Sequence, residues 1–186
     1  QIAKSDYAIM LTDGDGVLLN YFGDPGFTHA ASRSGLISGA VWSERYQGTN
    51  GMGTCLQEQR PIMIHQGDHY LFRNTGLTCA GAPILDWRGQ LLAVLDASGE
   101  VHRVPRHVLE LVKMSVQEIE NRIFINEFPT ARLLVFHPRP EFVATLSKGI
   151  IAVDTDHRVL GASRNALAQL GIAPDDIVGQ PLDAFF

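Results

Sequence analysis

Three stretches of the chain share one order of apolar and polar positions: an apolar run, a short acidic or glycine-bearing turn, and a second apolar run. The first is Tyr7 to Leu11, the turn Asp13-Gly14-Asp15-Gly16, then Val17 to Phe22. The second is Ala82 to Leu85, the turn Asp86-Trp87-Arg88-Gly89, then Leu91 to Ala97. The third is Gly149 to Val153, the turn Asp154-Thr155-Asp156-His157, then Val159 to Ala162. Each order predicts a β-hairpin. Between the first two, Gly23 to Arg60 is rich in Gly and Ser and holds one short helical candidate, Asn50 to Glu58. Pro61 then opens a strand, Ile62 to His65, because proline fits a strand's start and not its interior. This order of elements describes an antiparallel sheet with a crossover on one face and a roofed cavity beneath it.

After Glu100 the period lengthens. Val108, Val112, Val116, Ile119 and Ile123 recur three or four apart, which predicts an amphipathic helix from Pro105 to Phe128, about 36 Å long if unbroken. Leu109, Leu111 and Phe124 widen its apolar stripe, so the helix either packs on its own sheet alone or adds a dimer seam. Pro129 ends it, and Pro138-Arg139-Pro140 marks a second boundary after the apolar run Leu133 to Phe136. From Glu141 a new unit begins, with the third hairpin, a helix at Asn165 to Leu170 stopped by Gly171, and a short helix after Pro174. The expected organisation is a sheet domain at residues 1–104, a helix and linker at 105–137, and an incomplete second unit at 138–186.

Composition narrows the function classes. With 186 residues, 45% apolar content and a net charge of −5, the chain can bury a core and has no general attraction for phosphate backbones or anionic lipid. Two cysteines are too few for a disulfide framework and fit a reducing cytoplasm. No apolar run reaches the length of a membrane span. Gln1 and Phe186 read as the ends of a piece of a longer protein.

The segment Gly48-Thr49-Asn50-Gly51-Met52-Gly53-Thr54 places three glycines in six positions. Such a loop can approach a ligand closely, or Asn50 or Thr49 can cap the following helix, and both can hold. It is neither a Walker A loop nor a dinucleotide fingerprint. Trp42, Ser43, Glu44 and Tyr46 form an aromatic and acidic cluster beside it. Glu44 is exposed, paired with an arginine such as Arg45 or Arg73, or facing a polar ligand. His65 and His69 are four apart, but His65 ends a strand and His69 lies beyond Gln66-Gly67-Asp68, so they do not share a helix face; Cys79 is the one soft partner in reach, and His65 is assigned to a cavity rim or a loop hydrogen bond rather than a metal. Cys55 near a helix start reads as a reactive thiol or as a small apolar filler, and Cys79 as an inward strand residue. No Gly-x-Ser-x-Gly elbow is present, and no catalytic residue is assigned.

These residues carry a resemblance. Trp42-Ser43-Glu44, Gly48 to Thr54, Arg60-Pro61, His69-Tyr70-Leu71, Gly76-Leu77-Thr78-Cys79, Ala82-Pro83-Ile84 and Leu95-Asp96-Ala97-Ser98-Gly99 together look like the GAF domain of sigma-54-dependent transcription activators of the acetoin-catabolism-regulator type. Gly149-Ile150-Ile151-Ala152-Val153-Asp154 and Asn165-Ala166 resemble the start of a PAS domain. The resemblance implies an α+β fold: a GAF-type antiparallel sheet with flanking helices, a long connecting helix, then an incomplete PAS-type α/β unit. It implies a cytoplasmic, non-enzymatic sensory region that controls an AAA+ ATPase and a helix-turn-helix domain lying outside this chain. DNA and sigma-54 RNA polymerase would be met only through those domains, and no membrane is involved.

The Asn-Lys-Phe-Asp-Glu signature of cyclic-nucleotide GAF domains is absent, and Ala80 follows Cys79 where bilin-binding members have histidine. No cofactor or metal is therefore expected. The implied partners are a small metabolite effector and a second copy of the chain through the helix Pro105 to Phe128. The assigned ligand-contact residues are Trp42, Glu44, Tyr46, Asn50, Thr54, Cys55, His65, His69 and Cys79. Two other readings remain open: a ligand-free dimerisation and protein-interaction module, and a thiol redox sensor or enzyme using Cys55 or Cys79.

Overall fold

The computed structural model describes residues 7–23, 35–100 and 107–186. The expected helix start at Pro105 and part of the crossover lie outside them. The chain divides into two units, one of residues 1–84 and 91–116, the other of residues 85–90 and 117–186.

Unit one is a five-stranded sheet in the order β2-β1-β5-β4-β3, built from β1 (Tyr7–Asp13), β2 (Leu18–Gly23), β3 (Ile62–His65), β4 (Leu77–Leu85) and β5 (Leu91–Glu100). β1 pairs antiparallel with both β2 and β5, and β3 with β4. Two short helices, α1 (Glu44–Gln47) and α2 (Gly51–Glu58), lie in the crossover, and α2 packs on β3 and β5. β4 is buried along nearly its whole length, as expected of an inner strand covered on both faces. Met10, Leu18, Leu36, Trp42 and Met52 form the core on the crossover side.

The three hairpin turns are one device used three times. In the first, the Asp13 carboxylate accepts from the Asp15 and Val17 amides at 3.0 and 2.9 Å. Asp86 does the same for Arg88 and Gln90 at 2.9 and 2.7 Å, and Asp154 for Asp156 and Arg158 at 2.9 and 2.8 Å. The residue three after each aspartate, Gly16, Gly89 or His157, takes a positive φ. An Asp that satisfies two amides of its own loop fixes the reversal locally, which is why these hairpins were readable.

The long helix α3 (His107–Glu127) runs from unit one into unit two. Its buried positions are Val108, Val112 and Val116, four apart, then Asn121 and Phe124. The expected Ile119 and Ile123 are half-buried, as is Glu120. At about 100° per residue Asn121 and Phe124 lie further round the helix than Val108 to Val116, so the buried face winds along α3 rather than running straight.

Unit two holds a three-stranded antiparallel sheet, β6-β7-β8, from β6 (Arg132–Phe136), β7 (Gly149–Val153) and β8 (Val159–Ala162). Arg132–Phe136, expected as linker, is thus an edge strand; the proline cluster beyond it separates it from its partner β7, with Phe136 paired to Gly149 and Arg132 to Val153. Alternate β7 residues face opposite sides. Ile150 and Ala152 meet Trp87 and Phe124, while Ile151 and Val153 pack with Ala166, Leu167 and Ile177. Helices α4 (Arg164–Leu170) and α5 (Pro174–Ile177) complete the unit; Ser163 caps α4 and Gly171, at φ 69°, closes it.

Candidate functional site

The site forms where α2 begins against β4 and β5. Asn50 is the N-cap of α2: its carboxamide oxygen accepts from the Gly53 amide at 2.9 Å, while its Nδ2 donates to the Trp42 and Gly48 carbonyls at 3.0 and 2.8 Å. Gly51 and Gly53 are required by contact. A Cβ at Gly51 would collide with Cys79 Cβ and the Asp96 carboxylate, and one at Gly53 with the Trp42 carbonyl. Gly81 on β4 likewise makes room for the Gly51 carbonyl and Cys55. The glycines therefore let a helix start lie directly on the sheet.

Beside this junction is a cavity of about 10 Å³, room for about one water. Leu36, Met52 and Leu77 supply its apolar wall, and Trp42, Asn50, His69, Asn74, Cys79 and Ser98 its polar groups. His69 is buried, with Nδ1 3.0 Å from the Gln66 carbonyl and Nε2 3.3 Å from Cys79 Sγ. A carbonyl oxygen only accepts, so Nδ1 carries the proton and Nε2 accepts from the thiol. Burial holds the His69 pKa below its ordinary value, against the raising effects of Gln66 and Asp68, so the ring is neutral at pH 7.

Behind the cavity wall lies Asp96, fully buried in β5. Its Oδ2 accepts from the Ser98 hydroxyl at 2.5 Å and its Oδ1 has no partner. Desolvation raises its pKa to about 6, partly offset by Ser98. Desolvation and the Asp96 charge push the Cys55 thiol up to about 12, and raise Cys79 as well. Neither thiol is poised as a nucleophile.

Of the nine assigned contact residues, the structure brings Trp42, Asn50, His69 and Cys79 to the cavity. The other five stand elsewhere. The Glu44 carboxylate accepts from the Thr54 hydroxyl, which also accepts from the Asn50 amide at 3.2 Å, so both brace the α1–α2 corner. Arg73 bonds Gln47 instead of Glu44. Tyr46 points to solvent. Cys55 is buried against the sheet and donates to the Arg60 carbonyl at 3.4 Å. His65 lies on the outer side of β3, its Nδ1 2.7 Å from Thr78 Oγ1. Asn74, Ser98 and Asp96 were not assigned. Asn74-Thr75-Gly76 reads as turn chemistry, and Asp96 alternates inward from a strand where a carboxylate is unexpected.

No group of three or more metal-ligating side chains exists among the described residues. No described helix is long and apolar enough to cross a membrane.

An antiparallel sheet with a glycine-started helix over a small polar cavity, followed by a second small sheet unit, defines a two-module α+β chain. The chain belongs to the GAF domain family, whose model matches residues 1–123, and the PAS fold model matches residues 139–185. It is 32% identical over its whole length to the acetoin catabolism regulatory protein of Cupriavidus necator, covering 29% of that protein. It is 26% identical over 96% of its length to the signal-transduction and transcriptional-control protein of Clostridium beijerinckii, covering 28% of it. A propane 2-monooxygenase operon transcriptional activator of Mycolicibacterium smegmatis is 31% identical over 71% of this chain and is covered to 23%. The chain thus spans under a third of these curated relatives, the first a regulatory protein by name and the other two named for transcriptional control or activation. The amino-terminal part of Escherichia coli DhaR, solved in complex with DhaL, shares the fold at a TM-score of 0.61 and 15% identity, over 96% of this chain and 62% of that one.

Proposed function

We propose that this chain is the small-molecule sensing and signal-transmitting region of a cytoplasmic, sigma-54-dependent transcription regulator. Its effector would occupy the cavity between α2, β4 and β5. The observation that carries this is the cavity itself: a buried, mixed polar and apolar space at the start of a helix, in a chain with relatives named for transcriptional control. Occupancy would act on α3, which follows β5 and crosses from unit one to unit two. A ligand shifts such an equilibrium only through different affinity for its two states. The downstream ATPase, the DNA-binding domain and the polymerase would be engaged by parts of the protein outside this chain. Exposed Leu111 and Met114 on α3 support a homodimer through that helix.

A thermal-shift screen of small alcohols, ketones, acids and aromatic metabolites tests this reading. A saturable rise in melting temperature with one class supports it. No shift with any class sinks it.

One observation favours a second reading, a ligand-free protein-interaction module. The cavity is no larger than a water, while Tyr70 and Phe72 stand 76% and 89% exposed on the loop before β4. The DhaR relative was solved bound to another protein. Under this reading the screen stays silent and replacing Tyr70 and Phe72 abolishes partner capture by the full regulator.

A further inference from the structure

The segment from His69 to Asn74 is held at both ends and open in between. His69 is 4% exposed and Asn74 1%, while Tyr70 and Phe72 between them stand 76% and 89% exposed. Backbone bonds fix the segment. The His69 amide and ring both donate to the Gln66 carbonyl, at 3.1 and 3.0 Å, the Tyr70 amide to the Thr49 carbonyl at 3.1 Å, and the Asn74 amide to the Leu71 carbonyl at 2.9 Å.

Helix α1 and the glycine after it lie beside this segment. Gly48 sits at φ 60°, and a Cβ there would meet the Tyr70 ring at 2.5 Å. Arg73 donates to Gln47 Oε1 at 2.8 Å. Tyr46, 64% exposed, has the Arg45 guanidinium 5.7 Å from its ring centre. The two segments thus present three aromatic rings and two guanidinium groups side by side. Single exposed rings are ordinary in a native protein, but a gathered set marks a contact surface. Tyrosine, phenylalanine and arginine are enriched where proteins meet, and a loop already fixed by its own bonds loses little freedom on docking.

We propose that Tyr46, Tyr70 and Phe72, flanked by Arg45 and Arg73, form a docking surface for an acidic protein segment that carries apolar side chains. The proposal deepens the protein-interaction reading by naming the partner's chemistry, and it holds with the cavity filled or empty. Charge selects the partner. Neither Arg45 nor Arg73 forms an ion pair among the described residues. The carboxylates closest to them in sequence are occupied: Glu44 accepts from the Thr54 hydroxyl, and Asp68 from the His65 amide at 3.1 Å. A chain of net charge −5 therefore shows two unpaired cations beside its exposed rings, and a partner's carboxylates complement them. Rings and guanidinium groups also suit a nucleic acid, but the net negative charge opposes a polyanion and two cations neutralise too few phosphates to overcome it.

The test is fluorescence anisotropy on the whole chain with a labelled peptide alternating glutamate and leucine, its glutamate-to-lysine and leucine-to-serine counterparts, and an oligothymidine. The glutamate-leucine peptide is expected to bind about tenfold or more tighter than either counterpart, and more weakly as salt rises. Phe72→Ser should leave the melting temperature unchanged, because the ring is exposed, and should weaken the peptide about tenfold. Arg45→Glu combined with Arg73→Glu should lose the glutamate peptide and gain the lysine one, an exchange that a structural role for the arginines would not produce. The surface falls if Phe72→Ser melts lower or binds like the parent. Loss in Phe72→Ser with no response to charge overturns the partner's acidity and leaves the interaction reading standing. Tighter binding of oligothymidine puts a nucleic acid in the partner's place, and a sedimenting dimer that Phe72→Ser dissolves puts a second copy there; either overturns the proposal. A parent that binds no peptide overturns it too, while the interaction reading is judged separately by partner capture with Tyr70 and Phe72 replaced.

Discussion

The Ser98 hydroxyl donates to the Asp96 carboxylate at 2.5 Å, inside a strand where the carboxylate is wholly buried and meets no cation among the described residues. One hydrogen bond does not replace lost hydration, so the protonated acid is favoured in the folded state.

Stability should therefore depend on pH through Asp96. Its folded pKa, about 6, lies above the ordinary 3.8, so the folded state holds this proton more firmly than the unfolded chain. The associated stability is fully present below about pH 4 and is lost as pH rises through 6, by roughly 3 kcal/mol in all. Asp96→Asn removes the titration. Urea unfolding of parent and variant between pH 4 and 8 should show their difference moving by that amount in the variant's favour. A difference that stays flat across this range would refute the buried-proton account.

Asn50 takes the helix-cap role that the sequence offered it, and adds to it. One hydrogen bond caps α2 at Gly53, and two more join it to the Trp42 and Gly48 carbonyls. Loss of the cap and of two buried pairings should lower unit-one stability by about 3 kcal/mol in Asn50→Ala. Asn50→Asp keeps the cap oxygen but sets a second carboxylate oxygen against the Trp42 and Gly48 carbonyls, so it should cost at least as much. The chain has two tryptophans, Trp42 in unit one and Trp87 in unit two. In a Trp87→Phe background, Trp42 fluorescence therefore follows unit one alone.

What could be read from sequence was whatever the chain encodes locally. Each hairpin carries its own aspartate turn, and Asn50 its own helix start, so these needed no distant partner. β6 was missed because an edge strand is defined by its pairing with β7, which no local pattern announces. Ile119 and Ile123 were misplaced because a straight stripe was assumed for a helix whose buried face winds. The cavity assignments split along the same line. Trp42, Asn50, His69 and Cys79 reach the space, whereas Thr54 and Glu44 bond one another across ten residues of sequence. Asn74 became visible only when its empty bonding capacity could be counted.

The thiols should be silent in the folded protein. Burial and Asp96 push Cys55 up to about 12, and Cys79 is raised by the same two causes. At pH 8 the thiolate fraction of Cys55 is about one in ten thousand, far below that of a free cysteine. Iodoacetamide followed by intact-mass measurement should leave both unmodified over hours in buffer and label both within minutes in denaturant. Rapid native labelling of either would revive the thiol-sensor reading.

Glu120 links three elements of unit two. Its Oε1 accepts from the Leu85 amide at 2.9 Å, on the hairpin tip, and from Arg164 at 2.7 Å, at the start of α4. Desolvation nonetheless raises its pKa, with the Leu85 and Arg164 bonds pulling the other way. The amide bond should matter more than the ion pair, because the Arg164 side chain is 47% exposed and solvent screens it. Glu120→Gln keeps an acceptor for Leu85 and should cost under about 1 kcal/mol. Glu120→Leu strands that amide and should cost about 1–3 kcal/mol. Trp87 fluorescence in a Trp42→Phe background isolates unit two for this measurement. Equal losses in the two variants would show that charge, rather than the backbone bond, holds the hairpin tip.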